Sequence, residues 1–596
     1  MQPVGGGERT KGGSKAVLRA LKYLRHHRKD TAFALVALLL ASAANLSVPR
    51  LVRVAIDQGL VPRNQRILVS AVLGLVALAM LRGVFNFLQS YLAERASQGV
   101  AFELREELFT RIQKLSFSYF DKVEAGQLLT KLTNDVEQVR TFVGSGAVQV
   151  AASVLMLIGC TALLFTFNVR LALSALVAIG PLFWILKRFV TQMGPKFKRV
   201  QGLLSNLNAL LQENLQGTRV VRAFSAESIE TSRYQGVNHE LENQNLELVS
   251  IFSNNFPFIF FFANLGTLTV VGVGGFEIFH QQLTLGELIA FNSYLSFLLL
   301  PLLTLGFLAA QLSRAGTSAV RVFELLDTPI DIQDRPGADE LAPIKGLIEF
   351  KDVHFRYPGS EREILSGINL TLQPGQRVAI LGTTGSGKST LTQLIPRFYD
   401  VSQGAILIDQ TNIQDVTISS LRSQIAVVMQ DALLFSGTVR DNIAYGRPDA
   451  VLEQIKEAAK TAQAAEFIES LPQGYDTLIG ERGVGLSGGQ KQRISIARAL
   501  LVKPRLLILD DSTSAVDAGT EAALQIAMDQ LMLHAQCTTL VIAQRLTTVK
   551  AADWVIVLDQ GQVAAQGTHQ ALKLSSALYN DILGTQLANG LEEKAA

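Results

Sequence analysis

A glycine-rich segment in the C-terminal half has the residue types and spacing of a phosphate-binding loop. It reads Gly382-Thr383-Thr384-Gly385-Ser386-Gly387-Lys388-Ser389-Thr390. The apolar run 377–381 before it is typical of a buried strand, and the run 391–395 after it is typical of a helix start. Glycines allow backbone N–H groups to converge on phosphates at the start of a helix. We therefore predict that the whole loop binds nucleotide phosphates, with Lys388 reaching the β- and γ-phosphates and Ser389 holding Mg²⁺.

A second apolar run, residues 505–509, ends in two adjacent carboxylates, Asp510 and Asp511. A carboxylate at the end of a buried strand is the usual Mg²⁺ partner of a phosphate-binding loop. We therefore expect Asp510 to complete the Mg²⁺ site with Ser389.

A further glycine-rich turn precedes an apolar helix at residues 494–500 and could present N–H donors to anionic phosphate. Residues 486–493 read LSGGQKQR, which resembles the signature of ATP-binding cassette (ABC) proteins. In that family the signature contacts the nucleotide held by the opposite subunit. The resemblance therefore implies ATP as cofactor, with Ser487, Gly488, Gly489 and Gln490 contacting the ATP bound by a partner chain.

Other segments match the same family in order, and the resemblance covers essentially the whole chain. Tyr357 looks like the aromatic residue that stacks on adenine, and Gln430 looks like the Q-loop glutamine, a Mg²⁺ ligand and catalytic group. Asp517 looks like the D-loop aspartate, and residues 480–483 resemble the X-loop of exporters. Residues 119–121, Arg140 and 213–224 resemble the hairpin sequences of ABC exporters. The resemblance implies a half-transporter of the exporter (type IV) fold.

Two catalytic positions depart from the family pattern. Asp511 stands where the family usually has Glu, and its side chain is shorter by about 1.5 Å, one carbon–carbon bond. A misplacement of about 1 Å can cost on the order of a hundredfold in rate. Gln544 stands where the family has His, and an amide cannot carry a proton as imidazole can. We expect a weakly hydrolysing ATP site, and a heterodimer whose second half-transporter carries the Glu and the His.

Hydrophobic residues make up 48% of the 596 residues and charged residues only 18%, which indicates a membrane protein with a large polar part. Each apolar run before residue 315 is long enough to cross a bilayer as a helix. The six runs are Thr31–Val48, Ile67–Phe87, Phe142–Phe165, Leu171–Val190, Ile251–Phe279 and Leu288–Leu312. We predict an α-helical six-span transmembrane domain (1–325), a linker rich in Pro and Gly (326–346), and an α/β P-loop nucleotide-binding domain (347–596).

The long segments between spans 2 and 3 and between spans 4 and 5 have apolar residues at helical spacing. They predict helical hairpins that project about 40 Å from the membrane, with separate amphipathic helices on the membrane as the alternative. Eight basic residues before span 1 predict that the N-terminus lies in the cytoplasm. We expect the membrane to be a bacterial plasma (inner) membrane. An even number of spans then places the nucleotide-binding domain in the cytoplasm too. An apolar face with Val17, Leu18, Leu21 and Leu24 suggests a helix at the membrane interface, and an organellar transit peptide is the runner-up.

Charge and cysteine content exclude several other classes of protein. The net charge of +3 is too balanced for a nucleic-acid partner, and two distant cysteines exclude a disulfide scaffold. Aromatic and Asn residues in span 5 favour a hydrophobic small molecule, lipid or peptide as substrate. A slow homodimeric exporter, an ATP-gated channel or regulator, and an importer of the same fold remain as alternatives.

Overall fold

The chain folds into two compact units. The computed structural model describes residues 6–480, 483, 485–510, 526, 537–543 and 546–592. The first unit, here the helical unit, runs to Thr328 but omits Lys114–Glu124. The second, the sheet unit, comprises Lys114–Glu124 and the chain from Pro329 onward. A segment that interrupts the helical unit in sequence is therefore part of the sheet unit in structure.

The described part of the helical unit is built almost entirely from helices. They are α1 (Gly6–Lys22), α2 (Arg28–Val54), α3 (Gln65–Lys114), α5 (Ala125–Thr130), α6 (Val136–Thr141), α7 (Ala147–Phe167), α8 (Val169–Gln216), α9 (Thr218–Ala223), α10 (Glu227–Phe279) and α11 (Leu285–Asp327), with α4 (Phe117–Phe120) in the sheet unit. A 3₁₀ turn follows α1 at Tyr23–Arg25. Three π-helical turns lie at Ala55–Leu60, Lys131–Asp135 and Phe142–Gly146.

In the part of the chain that the structure describes, five helical segments are long and apolar enough to cross a membrane. They are Arg28–Leu60, Gln65–Lys114, Ala125–Phe167, Glu227–Phe279 and Leu285–Asp327. The predicted fourth span falls in a helix pair, Val169–Val177 and Gly180–Gln216, that is bent by 41°. Pro181 lies at this break, where its ring and missing N–H disturb the helical hydrogen bonds. The described residues thus contain up to six candidate spans if the bent pair forms one of them.

Three of these helices extend far beyond the apolar runs. Helices α3, α8 and α10 contain 50, 48 and 53 residues. At about 1.5 Å per residue each is about two and a half times as long as the roughly 30 Å hydrocarbon core. Their polar parts continue the apolar segments without a break in the helix, and the projection of helical hairpins from the membrane stays a prediction. Lys196 and Arg199 of α8 form ion pairs with Glu247 and Glu240 of α10 along the second hairpin.

The N-terminal helix packs against protein along α11. Val17 is only 5% exposed and Ala20 is fully buried, whereas Leu18 is 63% exposed. Arg19 donates to both carboxylate oxygens of Asp327, the last residue of α11. Protein therefore covers the Val17 side of α1 and leaves Leu18 exposed, and the position of this helix at the membrane interface stays a prediction.

The sheet unit contains three sheets in its described part. The strands are β1 (Ile348–Phe355), β2 (Leu365–Leu372), β3 (Arg377–Gly382), β4 (Gln403–Ile408), β5 (Thr411–Asn412), β6 (Ile425–Val428), β7 (Gly437–Thr438), β8 (Leu478–Ile479), β9 (Leu506–Asp510), β10 (Thr538–Ile542), β11 (Trp554–Asp559) and β12 (Gln562–Gly567). The six-stranded sheet has the order β12-β11-β3-β10-β9-β6. A four-stranded antiparallel sheet has the order β2-β1-β4-β5, and β7 pairs with β8.

Helices surround these sheets, as expected for an α/β fold. They are α12 (Lys388–Leu394), α13 (Ile418–Arg422), α14 (Val439–Ile443), α15 (Leu452–Thr461), α16 (Ala465–Glu469), α17 (Gly488–Leu501), α18 (Leu546–Lys550), α19 (His569–Ser575) and α20 (Ala577–Glu592). Strands β3, β6, β9, β10 and β11 pair in parallel. Parallel strands are covered on both faces, which explains why their sequences are continuously apolar. Their carboxyl ends lie at one edge, where open α/β sheets bind ligands.

Candidate nucleotide-binding site

The loop 382–390 joins β3 to α12, and its glycines have backbone conformations or neighbours that exclude other residues. Gly385 and Gly387 have φ of 83° and 99°, in the left-handed region. A Cβ on Gly387 would lie 2.7 Å from Leu365 Cδ2, and one on Gly382 would lie 2.2 Å from the Leu558 carbonyl oxygen. The strand–loop–helix context predicted from the sequence is therefore present.

Lys388 and Ser386 place polar side chains along this loop. Lys388 Nζ donates to the carbonyl oxygens of Gly382 and Thr383 at 3.0 and 2.8 Å. Ser386 is 2% exposed, and its buried Oγ has no hydrogen-bond partner among the described residues. A buried hydroxyl without a partner is costly unless a ligand supplies one. The loop thus fits a polyanion such as the phosphates of ATP.

Ser389 and Asp510 come together although they lie far apart in sequence. Ser389 Oγ donates to Asp510 Oδ1 at 3.5 Å. Strand β10 lies between β3 and β9, so the carboxyl ends of β3 and β9 lie at the same edge of the sheet. Burial raises the pKa of Asp510, while the hydroxyl of Ser389 and the charge of Lys388 act in the opposite direction. A hydroxyl and a carboxylate are oxygen donors of the kind Mg²⁺ prefers, so this pair fits the predicted ion.

Tyr357 follows β1 and lies against α12. Its hydroxyl forms a 3.0 Å hydrogen bond with Thr390 Oγ1. Its ring meets Phe355 and Tyr399 edge-on, at centroid distances of 4.9 and 5.2 Å. The residue predicted to stack on adenine is therefore held by the helix that begins at the phosphate loop.

The signature residues form the N-terminus of α17. Ser487 is the N-cap residue, and its Oγ accepts from Gln490 N at 3.3 Å. Gln490 Oε1 accepts from Ser487 N at 2.9 Å, which completes a capping box. Ser487 and Gly488 are exposed. The capping box engages the side chains of both Ser487 and Gln490, and contact of the signature residues with a nucleotide held by a partner chain stays a prediction.

The remaining predicted catalytic positions are only partly described. Gln430 is exposed and follows β6 closely. Asp511, Asp517, Gln544 and the X-loop residues Glu481 and Arg482 lie outside the described residues. Strands β9 and β10 end at Asp510 and Ile542, which are paired in register. The strand ends that precede Asp511 and Gln544 are thus neighbours at the same edge.

Sequence reasoning missed the role of Tyr399 and of the segment 114–124. Tyr399 donates to Asp121 Oδ2 at 2.7 Å, and the Phe117 ring stacks on Phe398 at 4.4 Å. Ser116 and Ser118 also donate to Asp331. Burial and the neighbouring Asp121 carboxylate raise the pKa of Tyr399. The sequence analysis recognised residues 119–121 but not their partner Tyr399. The residues next to Tyr399 in sequence give no sign that it differs from an ordinary core aromatic residue.

Comparison with known proteins agrees with this architecture. Residues 31–302 match the family described as the ABC transporter transmembrane region, and residues 365–514 match the family described as ABC transporter. The chain is 37% identical over 568 residues to the uncharacterized ABC transporter ATP-binding protein YknU of Bacillus subtilis (strain 168), covering 95% of this chain and 97% of that protein.

Two further relatives have more specific descriptions. The ATP-dependent lipid A-core flippase of Syntrophus aciditrophicus (strain SB) is 38% identical over 554 residues, which are 93% of this chain and 92% of that protein. A structure of a bacterial Atm1-family ABC exporter with ATP bound aligns with a TM-score of 0.79 and 31% identity, covering 94% of this chain and 98% of that one. With a phosphate-binding loop, a signature and a helical membrane part in one chain, the protein belongs to the ABC transporters and has the architecture of an ABC exporter.

Proposed function

We propose that this chain is the degenerate-site half of a heterodimeric, ATP-driven exporter. The single observation that carries the proposal is that one site keeps its ATP-binding residues but has lost its two hydrolytic residues. The phosphate loop, Ser389 and Asp510 keep the residue types of the family, and Ser389 Oγ donates to Asp510 Oδ1 at 3.5 Å. Asp511 and Gln544, at the family's two hydrolytic positions, are replaced. Binding groups are retained and hydrolytic groups altered, as expected of a site that holds ATP and turns it over slowly.

The chain's own residues would contribute to ATP binding in distinct ways. The amides of the loop 382–390 and the Lys388 ammonium would bind the phosphates, and Tyr357 would stack on the base. Ser389 and Asp510, with Gln430, would hold Mg²⁺, whose charge offsets that of the phosphates. Asp511 would position water poorly, and Gln544 could donate a hydrogen bond without accepting a proton.

A second chain is required because the signature serves a nucleotide held elsewhere. The chain has one phosphate loop and one LSGGQ sequence, so a complete pair of sites needs two chains. Near Gln430 the sheet unit also exposes Leu433, Phe435 and Tyr445, at 53%, 42% and 57%. The Phe435 and Tyr445 rings stack at 4.5 Å, and such an apolar patch supports a protein partner. The partner would carry the Glu and the His.

The proposed substrate is a hydrophobic small molecule, lipid or peptide. Phe258, Phe260 and Phe261 of α10 are each more than half exposed. Asn255, also a candidate from the sequence, is buried and donates to the Ile251 carbonyl of its own helix at 2.7 Å. The aromatic residues, rather than Asn255, are therefore the groups that support an apolar ligand. We place the protein in the bacterial plasma membrane, with the N-terminus and the sheet unit in the cytoplasm.

Restoring the two altered residues tests the proposal. We expect Asp511→Glu with Gln544→His to raise the ATPase of the purified single chain at least about tenfold, because a general base and its partner are regained. Asp449→Glu, on an exposed loop, is the matched control. If the unaltered chain alone already hydrolyses ATP as fast as the double variant, the homodimer is correct and the heterodimer is not. Transport into vesicles that needs ATP binding alone would support the channel or regulator instead.

A further inference from the structure

Residues 397–400, here the junction, read RFYD and lie just after α12, the helix that begins in the phosphate loop. The backbone N–H groups of Arg397 and Phe398 donate to the carbonyl oxygens of Leu394 and Gln393 at 3.1 and 3.2 Å. Arg397 has a φ of 54°, a left-handed conformation that persists in such a residue only where surrounding contacts hold it. The junction is therefore bonded to the last turn of α12, at the opposite end from the phosphate loop.

The two aromatic residues of the junction hold the segment 114–124. The Phe398 ring stacks on the Phe117 ring at a centroid distance of 4.4 Å, and the Tyr399 hydroxyl donates to Asp121 Oδ2 at 2.7 Å. Tyr399 is only 6% exposed, so water would replace this hydrogen bond poorly if it were broken. The junction thus contacts the segment at two points, and the ends of the segment join α3 and α5.

The two charged residues of the junction hold the linker. Arg397 is 2% exposed, and its Nε donates to Asp400 Oδ1 at 2.7 Å. Its Nη2 donates to the backbone carbonyl oxygen of Gln333, in the linker, at 3.1 Å. The planar guanidinium can bond to both acceptors at once, whereas the single ammonium of a lysine cannot take the same geometry. The linker follows α11, so this contact connects the junction with the chain that continues from that helix.

A third set of contacts joins the segment 114–124 to the linker. Ser116 and Ser118 are each 7% exposed, and both donate to Asp331 Oδ2, at 3.2 and 3.0 Å. Hydrogen bonds to an ionised carboxylate are stronger than those between neutral groups. The segment and the linker are therefore bonded to each other as well as to the junction, although Ser118 and Asp331 lie 213 residues apart in sequence.

We propose that the junction transmits ATP binding at the phosphate loop to the segment 114–124 and to the linker together, with Arg397 and Tyr399 as positioning residues. Phosphates bound at the start of α12 suppress the local opening of that short helix, and the elements bonded to its other end then open less often too. These two elements continue in the chain into α3, α5 and α11, so the three helices are affected together. This inference rests on the proposed ATP site and adds to it the residues through which ATP binding reaches the helical unit.

Hydrogen–deuterium exchange of the purified full-length chain, in nanodiscs of phosphatidylethanolamine and phosphatidylglycerol, tests the proposal. We expect MgATP to slow the exchange of backbone amides about fivefold in both 116–121 and 330–335, the effect of one hydrogen bond on local opening. Tyr399→Phe combined with Asp331→Ala removes two contacts of the segment and should reduce its slowing to less than about twofold, while the linker keeps its response through Arg397. Arg397→Lys should give the opposite pattern, with the response lost in the linker and kept in the segment.

Matched variants separate this effect from a general loss of stability. Tyr475→Phe with Glu340→Ala is the control for the double variant, because the Tyr475 hydroxyl is buried with no hydrogen-bond partner among the described residues and Glu340 is an exposed carboxylate of the linker. Arg440→Lys, at the surface, is the control for Arg397→Lys. Both controls should respond to MgATP as the unaltered chain does. Asp331→Asn keeps an acceptor oxygen and should restore most of the slowing when it replaces Asp331→Ala.

The Kd for MgATP, measured by isothermal titration calorimetry on the same samples, distinguishes this inference from the proposed function. Absence of MgATP binding to the unaltered chain overturns the proposed ATP site and this inference with it. Binding without slower exchange in the two elements overturns this inference alone, as does full slowing in the double variant or an equal loss in its control. If Arg397→Lys does not fold, the double variant and its control decide.

Discussion

Ser389 and Asp510 are joined by a 3.5 Å hydrogen bond between Oγ and Oδ1, although Ser389 lies in the first turn of α12 and Asp510 ends β9. The parallel pairing of β3, β10 and β9 brings them to one edge of the sheet. A hydroxyl and a carboxylate are thus close enough to bind one Mg²⁺ ion together. The first two predictions rest on this proximity.

Replacing Asp510 should remove most of the Mg²⁺ dependence of ATP binding. In Asp510→Asn the neutral amide is a poor ligand for a hard cation, so the gain in ATP affinity on adding Mg²⁺ should fall at least about tenfold. The measurement compares the Kd for ATP with Mg²⁺ and with EDTA. Asp449→Asn on an exposed loop serves as control. If Mg²⁺ raises the ATP affinity of Asp510→Asn as much as that of the unaltered protein, Asp510 is not a Mg²⁺ ligand.

The same substitution should stabilise the protein when no metal or nucleotide is bound. Burial raises the pKa of Asp510, so the folded state binds this proton more tightly than the unfolded state does. The charged carboxylate is therefore a destabilising group at neutral pH, and the penalty disappears as pH falls below the ordinary pKa of Asp. We expect Asp510→Asn to raise the Tm at pH 7 in EDTA and to match the unaltered protein near pH 4. A lower Tm at pH 7 would contradict this.

Short sequence patterns predicted the residues of the site well, but they did not predict contacts between residues that are far apart in the sequence. The strand and helix that flank the loop 382–390, and the strand that ends at Asp510, follow from short apolar runs next to glycines or carboxylates. The capping box of Ser487 and Gln490 is also local, although the sequence suggested only phosphate contacts for both residues. Tyr399 was missed because it meets Asp121 only through the fold, and no sequence pattern links these two distant residues. The burial of Val17 likewise depends on α11, which lies about half the chain length away in sequence.

Two ion pairs of the helical unit should differ in their effect on stability. Asp135, only 3% exposed, accepts from Arg321 Nε at 2.7 Å, whereas Asp327, paired with Arg19, is 58% exposed. Removing Arg321 leaves the buried Asp135 carboxylate without its cation and costs about 3 kcal/mol, while an exposed pair contributes about 1 kcal/mol or less. We expect Arg321→Met to lower the Tm clearly more than Arg19→Met. Equal shifts would show that the Asp135 pair is hydrated in solution.

The last prediction concerns which of the two sites in the proposed two-chain complex performs hydrolysis. Ser487 and Gly488 are exposed at the start of α17 and would face the nucleotide bound by the partner, where the competent Glu should lie. Ser487→Arg would place a bulky side chain there, and we expect the ATPase of the complex to fall at least about tenfold, about 1.4 kcal/mol of barrier. Asp511→Ala alters only the weakly hydrolysing site, and most of the activity should remain.

Two controls separate chemistry from folding in this experiment. Ser487→Thr retains an N-cap hydroxyl and should keep the capping box and most of the activity. Asp449→Ala, on an exposed loop, controls for Asp511→Ala. ATPase assays of the reconstituted complex give the result. Because each substitution acts on a different one of the two sites, loss of turnover in Asp511→Ala with tolerance of Ser487→Arg would reverse the assignment of working and degenerate sites.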